Sequence, residues 1–353
     1  MTDKLVIGVT GLQSGTSPSP GIGVARCLRA AYGSDVQLIA LGDEFLAAGL
    51  YFSDLFDRSF LISPWHQPVC LMRDLDRIRS ETGLNFIIPN LDAEQETYAT
   101  LQLELETRGI HTLLPSQDAI NRRAKRSLPS FCEKHGFFTP HTEFIQGPDQ
   151  VQDTLKQFTP PLFVKGHSFG AYLCNSTQEA KTFVPQLAHM WGWPVLVQAF
   201  VRGEEYSVAA LGTTSGEPLS AVCMRKLALT EQGKAWCGIT VGDSELLAIA
   251  RQLVSHLAWT GPIEVDLIKE PGMGNTHVID INPRFPAWIY LAAVAGQNLP
   301  AMTIRMGFGD MMNNQNSSYR TGVIFARYPY DLVFTVGKMA AFATGLLDVR
   351  SCR

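Results

Sequence analysis

The sequence has no excess of basic residues and no pair of cysteines at the spacing of a metal site or a disulfide framework. Its 29 lysines and arginines are outnumbered by 33 acidic residues, so little positive charge is available to neutralise the phosphates of a nucleic acid. We therefore expect no nucleic-acid partner. The seven cysteines are scattered without a C-x-x-C motif, which favours reduced and mostly buried thiols over disulfides or bound zinc.

Long apolar runs are also absent. A membrane-spanning helix needs about 20 consecutive apolar residues, and no segment approaches that length, so we expect no membrane partner. The apolar stretch from Leu5 to Val9 is too short for the hydrophobic part of a signal peptide. We accordingly expect a cytoplasmic location.

The composition is that of a globular protein, with 46% hydrophobic and 18% charged residues, and the length of 353 residues suits two or three subdomains. Apolar strand patterns alternate with helical patterns in the first third of the chain. This alternation predicts a parallel α/β domain over residues 1–115. From Leu162 onward, short β-rich runs dominate and helices interrupt them, which indicates a different arrangement in the rest of the chain.

A lysine at the end of an apolar strand is the first candidate for a functional side chain. Lys165 ends the run LFVK and is followed by a small, polar loop at 166–170 that contains Ser168. A strand-borne lysine beside a flexible glycine-containing loop can bind nucleotide phosphates, while the N–H groups of the loop close over them. The same pattern also fits a solvent-exposed lysine followed by a hairpin.

A second segment combines an apolar strand with polar groups at its end. Gln198 lies near the end of the strand, Phe200 and Val201 follow it, and Glu205 comes after a turn. The polar side chain and the backbone groups can bind the edge of an adenine, and the carboxylate can accept a hydrogen bond from a ribose hydroxyl. An ordinary strand, turn and strand explain the segment equally well.

A predicted hairpin carries the acidic residues. Asp266 lies on its first strand, and Asp280 and Asn282 on its second are two residues apart and so point to one face. Two carboxylates and an amide oxygen suit Mg²⁺, and charged groups within such apolar strands are costly without a partner. Glu264 is the alternative to Asp266 as a metal ligand on the first strand, and we expect its side chain to point to the opposite face from that of Asp266. Arg284 follows directly and can bind a phosphoryl group or a carboxylate.

Four features follow one another along the chain: the lysine and loop at 165–170, the segment from Gln198 to Glu205, the acidic hairpin, and Arg284. In this order they resemble the ATP-grasp superfamily, in particular the branch of biotin carboxylase and carbamoyl phosphate synthase. The resemblance covers nearly the whole chain. It implies a domain preceding the ATP-grasp fold at 1–115, a central lobe with a lid loop at 116–198 and a C-terminal lobe with the metal site at 199–353. The whole is expected to be an α/β (α+β) fold.

The resemblance also assigns roles to individual residues. Phosphate-binding positions fall on Lys125 and Lys165, with Ser168 in the lid loop. The adenine-binding positions correspond to Gln198, Phe200 and Val201, and the ribose-binding acid corresponds to Glu205. The metal ligands correspond to Asp266, Asp280 and Asn282. Arg284 corresponds to the arginine near the acyl phosphate. Gln198 and Asp280 stand where the family more often has glutamate, and the lid loop is short; none of these departures removes a needed function.

The implied activity is ligation of a carboxylate to an amine through an acyl phosphate, with release of ADP and phosphate. The implied cofactors are ATP and Mg²⁺, in two ions, with Mn²⁺ as an alternative. Amino-acid or peptide-like substrates follow by analogy alone. Asp92 or Glu94 could hold a substrate ammonium, although acids are ordinary in the first turn of a helix. A homodimer would be ordinary for such an enzyme.

Two alternatives remain open. A dinucleotide-dependent oxidoreductase is suggested by Gly21 and Gly23 after the first strand and by Asp43 after the second. Arg26, however, stands where the third glycine belongs, and the acidic hairpin is left unexplained. The other alternative is an ATP-binding regulatory protein without turnover.

Overall fold

The computed structural model of the protein describes residues 4–13, 15, 19–166, 170–230, 233–272, 274–310, 318–328 and 331–343. Within these residues, three β-sheets follow one another along the chain. None of the helices in the described part is long and apolar enough to cross a membrane. The cysteines that fall in these ranges have free thiols.

The first sheet has four parallel strands in the order β3-β2-β1-β4. Its elements are β1 (Leu5–Val9), α1 (Gly21–Tyr32), β2 (Val36–Gly42), β3 (Arg58–Leu61), α2 (Pro68–Thr82), β4 (Phe86–Ile88) and α3 (Gln95–Thr107). Its strands are apolar on both sides because separate hydrophobic clusters cover the two faces. At the start of α1, a Cβ on Gly21 would lie 2.3 Å from the carbonyl oxygen of Thr10, so only glycine fits there. The parallel α/β arrangement expected for residues 1–115 is confirmed.

The second sheet is antiparallel, with the order β5-β8-β6-β7. The elements of this part of the chain are α4 (Gln117–Arg123), α5 (Leu128–His135), β5 (Thr142–Ile145), α6 (Val151–Leu155), β6 (Leu162–Gly166), β7 (Ala171–Cys174), α7 (Thr177–Trp191) and β8 (Val195–Ala199). Helices α6 and α7 pack on this sheet, whereas α4 and α5 bury Ile120 and Phe131 in the core beneath the third sheet. The domain boundaries at 115 and 198 stay predictions.

The third sheet is also antiparallel, with the order β13-β12-β9-β10-β11-β14. Its elements are β9 (Glu204–Gly212), β10 (Pro218–Leu229), β11 (Ala235–Val241), α8 (Ser244–Leu257), β12 (Gly261–Lys269), β13 (Thr276–Asn282), α9 (Ile289–Ala295), α10 (Leu299–Gly307), β14 (Ile324–Ala326) and α11 (Val336–Ala343). Helix α8 covers one face and completes a core around the fully buried Trp259. Strands β12 and β13 form the predicted hairpin.

The first domain is held against the third sheet through helices. Helix α1 packs on α9 and α10, and residues of all three helices share one hydrophobic cluster. Two hydrogen bonds add to this contact: Asn298 Nδ2 donates to the carbonyl of Cys27 at 2.7 Å, and Tyr32 Oη donates to the carbonyl of Ala301 at 3.2 Å. The first domain is therefore anchored to the part of the chain that carries the acidic hairpin.

Candidate active site

The acidic hairpin presents its polar side chains on one face. Glu264 pairs across the strands with Asn282, and Asp266 pairs with Asp280. The alternate residue Val265 points to the opposite face, into the core under α8. The expectation that Glu264 faces away from Asp266 is wrong, because residues two positions apart on a strand share a face. The site therefore has a third carboxylate.

Glu264 is surrounded by donors. One of its oxygens accepts hydrogen bonds from Ser207 Oγ at 2.8 Å and from Trp288 Nε1 at 3.1 Å. The other accepts from Arg284 Nη1 at 2.5 Å and from Asn282 Nδ2 at 3.3 Å. Burial alone would raise the pKa of Glu264, but the charges of Arg284 and Lys234 together with the hydrogen bonds from Ser207 and Arg284 hold this pKa below its ordinary value. Glu264 is thus ionised, and both of its oxygens are already occupied.

Arg284 joins the first domain to the hairpin. Its Nε lies 2.7 Å from Oδ1 of Asp92, which follows β4, and its Nη1 lies on Glu264. Burial would lower the pKa of Arg284, but the two carboxylates reverse the effect and raise it. The guanidinium is therefore permanently charged and balanced by acids from two domains.

Lys226 on β10 is the second cation of the cluster. Its side chain is 7% exposed, and its Nζ lies 3.2 Å from Glu205 Oε2 and 3.1 Å from Asp266 Oδ1. Burial would lower its pKa, yet the two carboxylates raise it. The neighbouring Arg225 contacts Glu204 instead, at 3.2 Å. Lys226 thus links Glu205, assigned to ribose, with Asp266, assigned to metal.

Lys165 approaches from the second sheet. Its Nζ donates to Gln198 Oε1 at 2.6 Å, so the structure brings together two of the residues assigned to the nucleotide. Burial lowers the pKa of Lys165 to about 8, and the charge of Lys125 adds to this effect, whereas that of Asp280 opposes it. Burial would raise the pKa of Asp280, but the charges of Lys125 and Lys165 lower it. Two lysines therefore lie near the carboxylate on β13.

The remaining nucleotide candidates occupy the end of β8. Phe200 is 39% exposed, and its ring centroid lies 6.0 Å from that of Phe163. Val201 is half-buried. Ser168 lies outside the described residues, while the N–H of Gly166 donates to the carbonyl of Gly170 at 3.0 Å at the base of that loop.

Glu94 does not point into the cluster. Its Oε1 accepts hydrogen bonds from the Thr10 hydroxyl and from the N–H groups of Asn90 and Leu91, so it satisfies backbone donors where the helical turn begins. Burial raises its pKa to about 7. The ordinary explanation, an acid at a helix N-terminus, is therefore right for Glu94, whereas Asp92 is engaged with Arg284.

A cleft of about 480 Å³ opens beside the hairpin. Of the residues described above, Lys226, Glu264, Asp266 and Arg284 line it. The lining also includes side chains that the sequence analysis does not single out: Lys234, Trp288 and Arg327. These three lie in segments without a recognisable motif, and only the folding of the third sheet brings them together. Within the described ranges, no group of three His, Cys, Asp or Glu side chains is arranged to hold a metal ion.

A parallel α/β sheet followed by two antiparallel sheets, with Lys165 on the second sheet near the acidic hairpin of the third, agrees with the ATP-grasp fold expected from the sequence, and solved structures confirm this fold. Residues 193–327 match the family model described as ATP-grasp in the biosynthetic pathway with Ter operon. Among solved structures, the biotin carboxylase domain of the Hydrogenobacter thermophilus 2-oxoglutarate carboxylase, in complex with MgADP, ADP and bicarbonate, has a TM-score of 0.67 at 15% identity. The alignment covers 91% of this chain and 73% of that one. The L-amino acid ligase from Bacillus licheniformis has a TM-score of 0.66 at 14% identity, covering 91% and 78%. At these identities the two structures show the fold.

A curated relative is similar in sequence over a shorter stretch. A probable alpha-L-glutamate ligase from Xanthomonas oryzae pv. oryzae is 26% identical over 183 residues, which are 50% of this chain and 60% of the relative. The counterpart from Xanthomonas euvesicatoria pv. vesicatoria is 34% identical over 91 residues, 26% of this chain and 31% of the relative.

Proposed function

We propose that the protein is an ATP-dependent ligase that joins a carboxylate to an amine through an acyl phosphate and releases ADP and phosphate. The observation that carries the proposal is the meeting of groups from three sheets at one place. Asp92 comes from the first, Lys165 from the second, and Lys226, Asp266 and Arg284 from the third. The ligase names of relatives support it, and they favour an amino-acid or peptide-like substrate.

In this proposal, ATP lies between the second and third sheets. Lys125, Lys165 and the loop containing Ser168 bind phosphate oxygens, while Gln198 and the backbone of Phe200 and Val201 bind adenine. The Lys165–Gln198 hydrogen bond of 2.6 Å must then open. Lys165 turns to the phosphates and leaves the amide oxygen of Gln198 to accept from the adenine amino group. Glu205 is the ribose acceptor.

The hairpin residues fit Mg²⁺. Asp266 and Asp280 are ionisable oxygen donors on one face with Asn282, and the buried Oδ1 of Asp266 accepts no hydrogen bond, although Lys226 Nζ lies 3.1 Å from it. When bound there, Mg²⁺ supplies neutralisation of phosphate charge, which lowers the barrier to phosphoryl transfer. We propose two ions, with Mn²⁺ as an alternative.

The cationic residues position the reactants. A carboxylate oxygen attacks the γ-phosphorus in line, the bond to the β–γ bridging oxygen breaks, and ADP leaves. Arg284, fixed by Asp92 and Glu264, stabilises the charge on the transferring phosphoryl group. The amine nitrogen then attacks the acyl carbon, loses a proton and displaces phosphate. Holding the reactants in this geometry accounts for most of the catalysis.

The proposal is tested by measuring ADP release from MgATP with amino acids and small carboxylates, singly and in pairs. The double variant Asp280→Ala/Asn282→Ala removes two hairpin ligands, and Asp153→Asn, at an exposed carboxylate on α6, is the matched control. We expect ADP with particular pairs, no ADP in the double variant and unchanged rates in the control. ATP binding without ADP release from any pair would favour a regulatory ATP-binding protein, and absence of ATP binding would overturn the proposal. Assembly as a homodimer stays a prediction.

A further inference from the structure

A second cavity lies at the carboxyl edge of the first sheet, apart from the cleft beside the hairpin. Its volume is about 270 Å³ including its open mouth. All four parallel strands contribute residues that follow their carboxyl ends: Gly11, Asp43, Ser63 and Leu91. Open parallel α/β sheets bind ligands at this edge. In the proposed reaction this cavity has no role.

The loop after β4 separates the two cavities. Asp92 reaches Arg284 in the cleft, whereas its neighbours Leu91 and Glu94 line the second cavity. Among the described residues, none lines both cavities. A ligand in the second cavity would therefore contact a different set of side chains from those assigned to ATP and Mg²⁺.

Two polar groups of the second cavity lack a partner. Tyr98 is 1% exposed, and its hydroxyl has no hydrogen-bond partner among the described residues. The buried Oε1 of Gln13 has none there either. The orientation of this amide is determined by its nitrogen, because Nε2 donates to Asp43 Oδ1 at 3.0 Å. Since buried polar groups are almost always hydrogen-bonded, these two indicate that a polar group from outside the protein enters the cavity.

The charged residues of the second cavity are acidic. Asp43 and Glu94 line it, and its described lining contains no lysine, arginine or histidine. Burial raises the pKa of Tyr98, and the charges of Glu94 and Asp43 add to this effect, so both carboxylates lie near the unpartnered hydroxyl. A cavity lined by one sign of charge attracts the opposite sign. The entering group is therefore a cation that donates hydrogen bonds.

The remaining lining fits an ammonium group attached to an apolar chain. An ammonium has three N–H donors and no acceptor. The cavity has three matching acceptors in Gln13 Oε1, the carboxylate of Asp43 and Tyr98 Oη, whereas the hydroxyl of Ser63 already donates to Asp74 at 2.7 Å. An indole ring also attracts a cation. This ring and the apolar side chains of the lining are Trp65, Leu41, Ile62, Leu71 and Leu91.

We propose that the second cavity binds a primary ammonium group carried by a small, partly apolar molecule, with Asp43, Gln13 and Tyr98 as its hydrogen-bond acceptors. The ligand is either the amine substrate of the proposed reaction or a separate amine, and both share this chemistry. The inference does not require ligase activity, because it concerns binding alone.

The test compares probes of similar size and different charge. Binding of n-butylammonium, 1-butanol and butyrate to the full chain is measured by ligand-observed NMR titration without nucleotide. Asp43→Asn removes the charge but keeps an oxygen that accepts from Gln13 Nε2, and Tyr98→Phe removes only the hydroxyl. Asp35→Asn is the matched control, because Asp35 is exposed directly before β2 and Asp43 follows β2 directly. The melting temperature of each variant verifies folding.

We expect n-butylammonium to bind at least about tenfold more tightly than 1-butanol or butyrate. Asp43→Asn should weaken its binding about 10- to 100-fold, and Tyr98→Phe about 2- to 10-fold. Asp35→Asn should have no effect. Without probe, Tyr98→Phe should keep or raise Tm, because it removes a buried hydroxyl that has no partner in the described structure. A purely structural role for Tyr98 would lower Tm and leave the preference among the probes unchanged.

ADP release identifies the source of the amine. If the ligand is the amine substrate, Asp43→Asn should raise the KM for that amine by about the factor that it weakens the probe. If the ligand is a separate amine, this KM should stay the same while probe binding is lost. Both outcomes support the site.

Three results would overturn the inference: no binding of n-butylammonium, equal binding of the three probes, or equal loss of n-butylammonium in Asp43→Asn and in Asp280→Ala/Asn282→Ala. The last result would place the probe in the cleft beside the hairpin. Because binding is measured without nucleotide, failure of ligation would refute the proposed function and leave the ammonium site intact.

Discussion

The substitution Glu264→Gln gives the sharpest prediction, because all four partners of this carboxylate are placed to donate hydrogen bonds to it. A glutamine has one accepting oxygen and one donating amide nitrogen. If its oxygen faces Arg284 and Asn282, its nitrogen faces the Ser207 hydroxyl, which can rotate to accept, and the Trp288 indole N–H, which cannot. In the opposite orientation the nitrogen faces the guanidinium. Either way, one buried donor is unsatisfied and Arg284 loses a charged partner.

The size of the effect follows from these contacts. A buried donor without an acceptor costs about 1–3 kcal/mol, and breaking a buried ion pair costs up to about 5 kcal/mol. Arg284 keeps Asp92, so we expect a loss of about 3 kcal/mol in the free energy of unfolding. With an unfolding entropy of about 2.1 cal/mol/K per residue over 353 residues, Tm should fall by about 4 °C. Asp92→Asn should cost about 1 kcal/mol, because Asp92 is 27% exposed whereas Glu264 is 10% exposed.

Calorimetric melting with and without MgATP measures both effects. Glu217→Gln, at an exposed glutamate between β9 and β10, is the control and should leave Tm unchanged. If Glu264 acts by positioning Arg284, the Mg²⁺ concentration for half-maximal ADP release should be the same in Glu264→Gln as in the unsubstituted protein. An unchanged Tm together with a much higher Mg²⁺ requirement would refute this reasoning and make Glu264 a metal ligand.

Two predictions concern pH. Because the pKa of Lys165 is about 8, its charge is lost above that pH, and the KM for ATP should rise several-fold between pH 7.5 and 9 in initial-rate measurements. Lys165→Arg should flatten this profile, and a flat profile in the unsubstituted protein would contradict the assignment of Lys165 to the phosphates. For Glu94, burial raises the pKa from 4.5 to about 7, so the folded state binds the proton more tightly than the unfolded state. The stability from this residue is complete below pH 4.5 and is lost as the pH rises to 7, by about 3 kcal/mol. Urea unfolding should show a smaller decline over this range in Glu94→Gln, and equal declines would show that Glu94 titrates normally.

The strongest sequence signals were those in which local chemistry and burial agree. Apolar strands alternating with helices predict the parallel first sheet, because both faces of such a sheet are covered. The hairpin at β12 and β13 is predicted from two apolar strand patterns joined by a turn, and the structure pairs Asp266 with Asp280 across it. In both cases the residues that determine the structure are close together in the sequence.

Elements defined by distant contacts are missing from the sequence prediction. Strand β14 has only three residues, and two of them, Ile324 and Ala326, are exposed, so its apolar run is too short to predict a strand from the sequence. Its pairing with β11 closes the edge of the third sheet and places Arg327 at the cleft. Strand β3 begins with Arg58, and its pairing with β2 completes the first sheet. No local sequence pattern indicates that β14 pairs with β11 or that β3 pairs with β2.

The pairing of charges in the site also depends on contacts between distant segments, so it could not be predicted from the sequence. The resemblance to the ATP-grasp superfamily assigns Arg284 to the acyl phosphate, but the charge balance of Arg284 depends on Asp92, 192 positions earlier in the chain, and on the orientation of Glu264. Those contacts distinguish the cations of the cleft: Arg284 and Lys226 each contact two carboxylates, whereas no described carboxylate oxygen lies within 4.0 Å of Arg327. A motif gives the types of side chain that a site uses. The charge remaining after these side chains pair with one another determines the ligand, and it is known only when distant segments have been brought together.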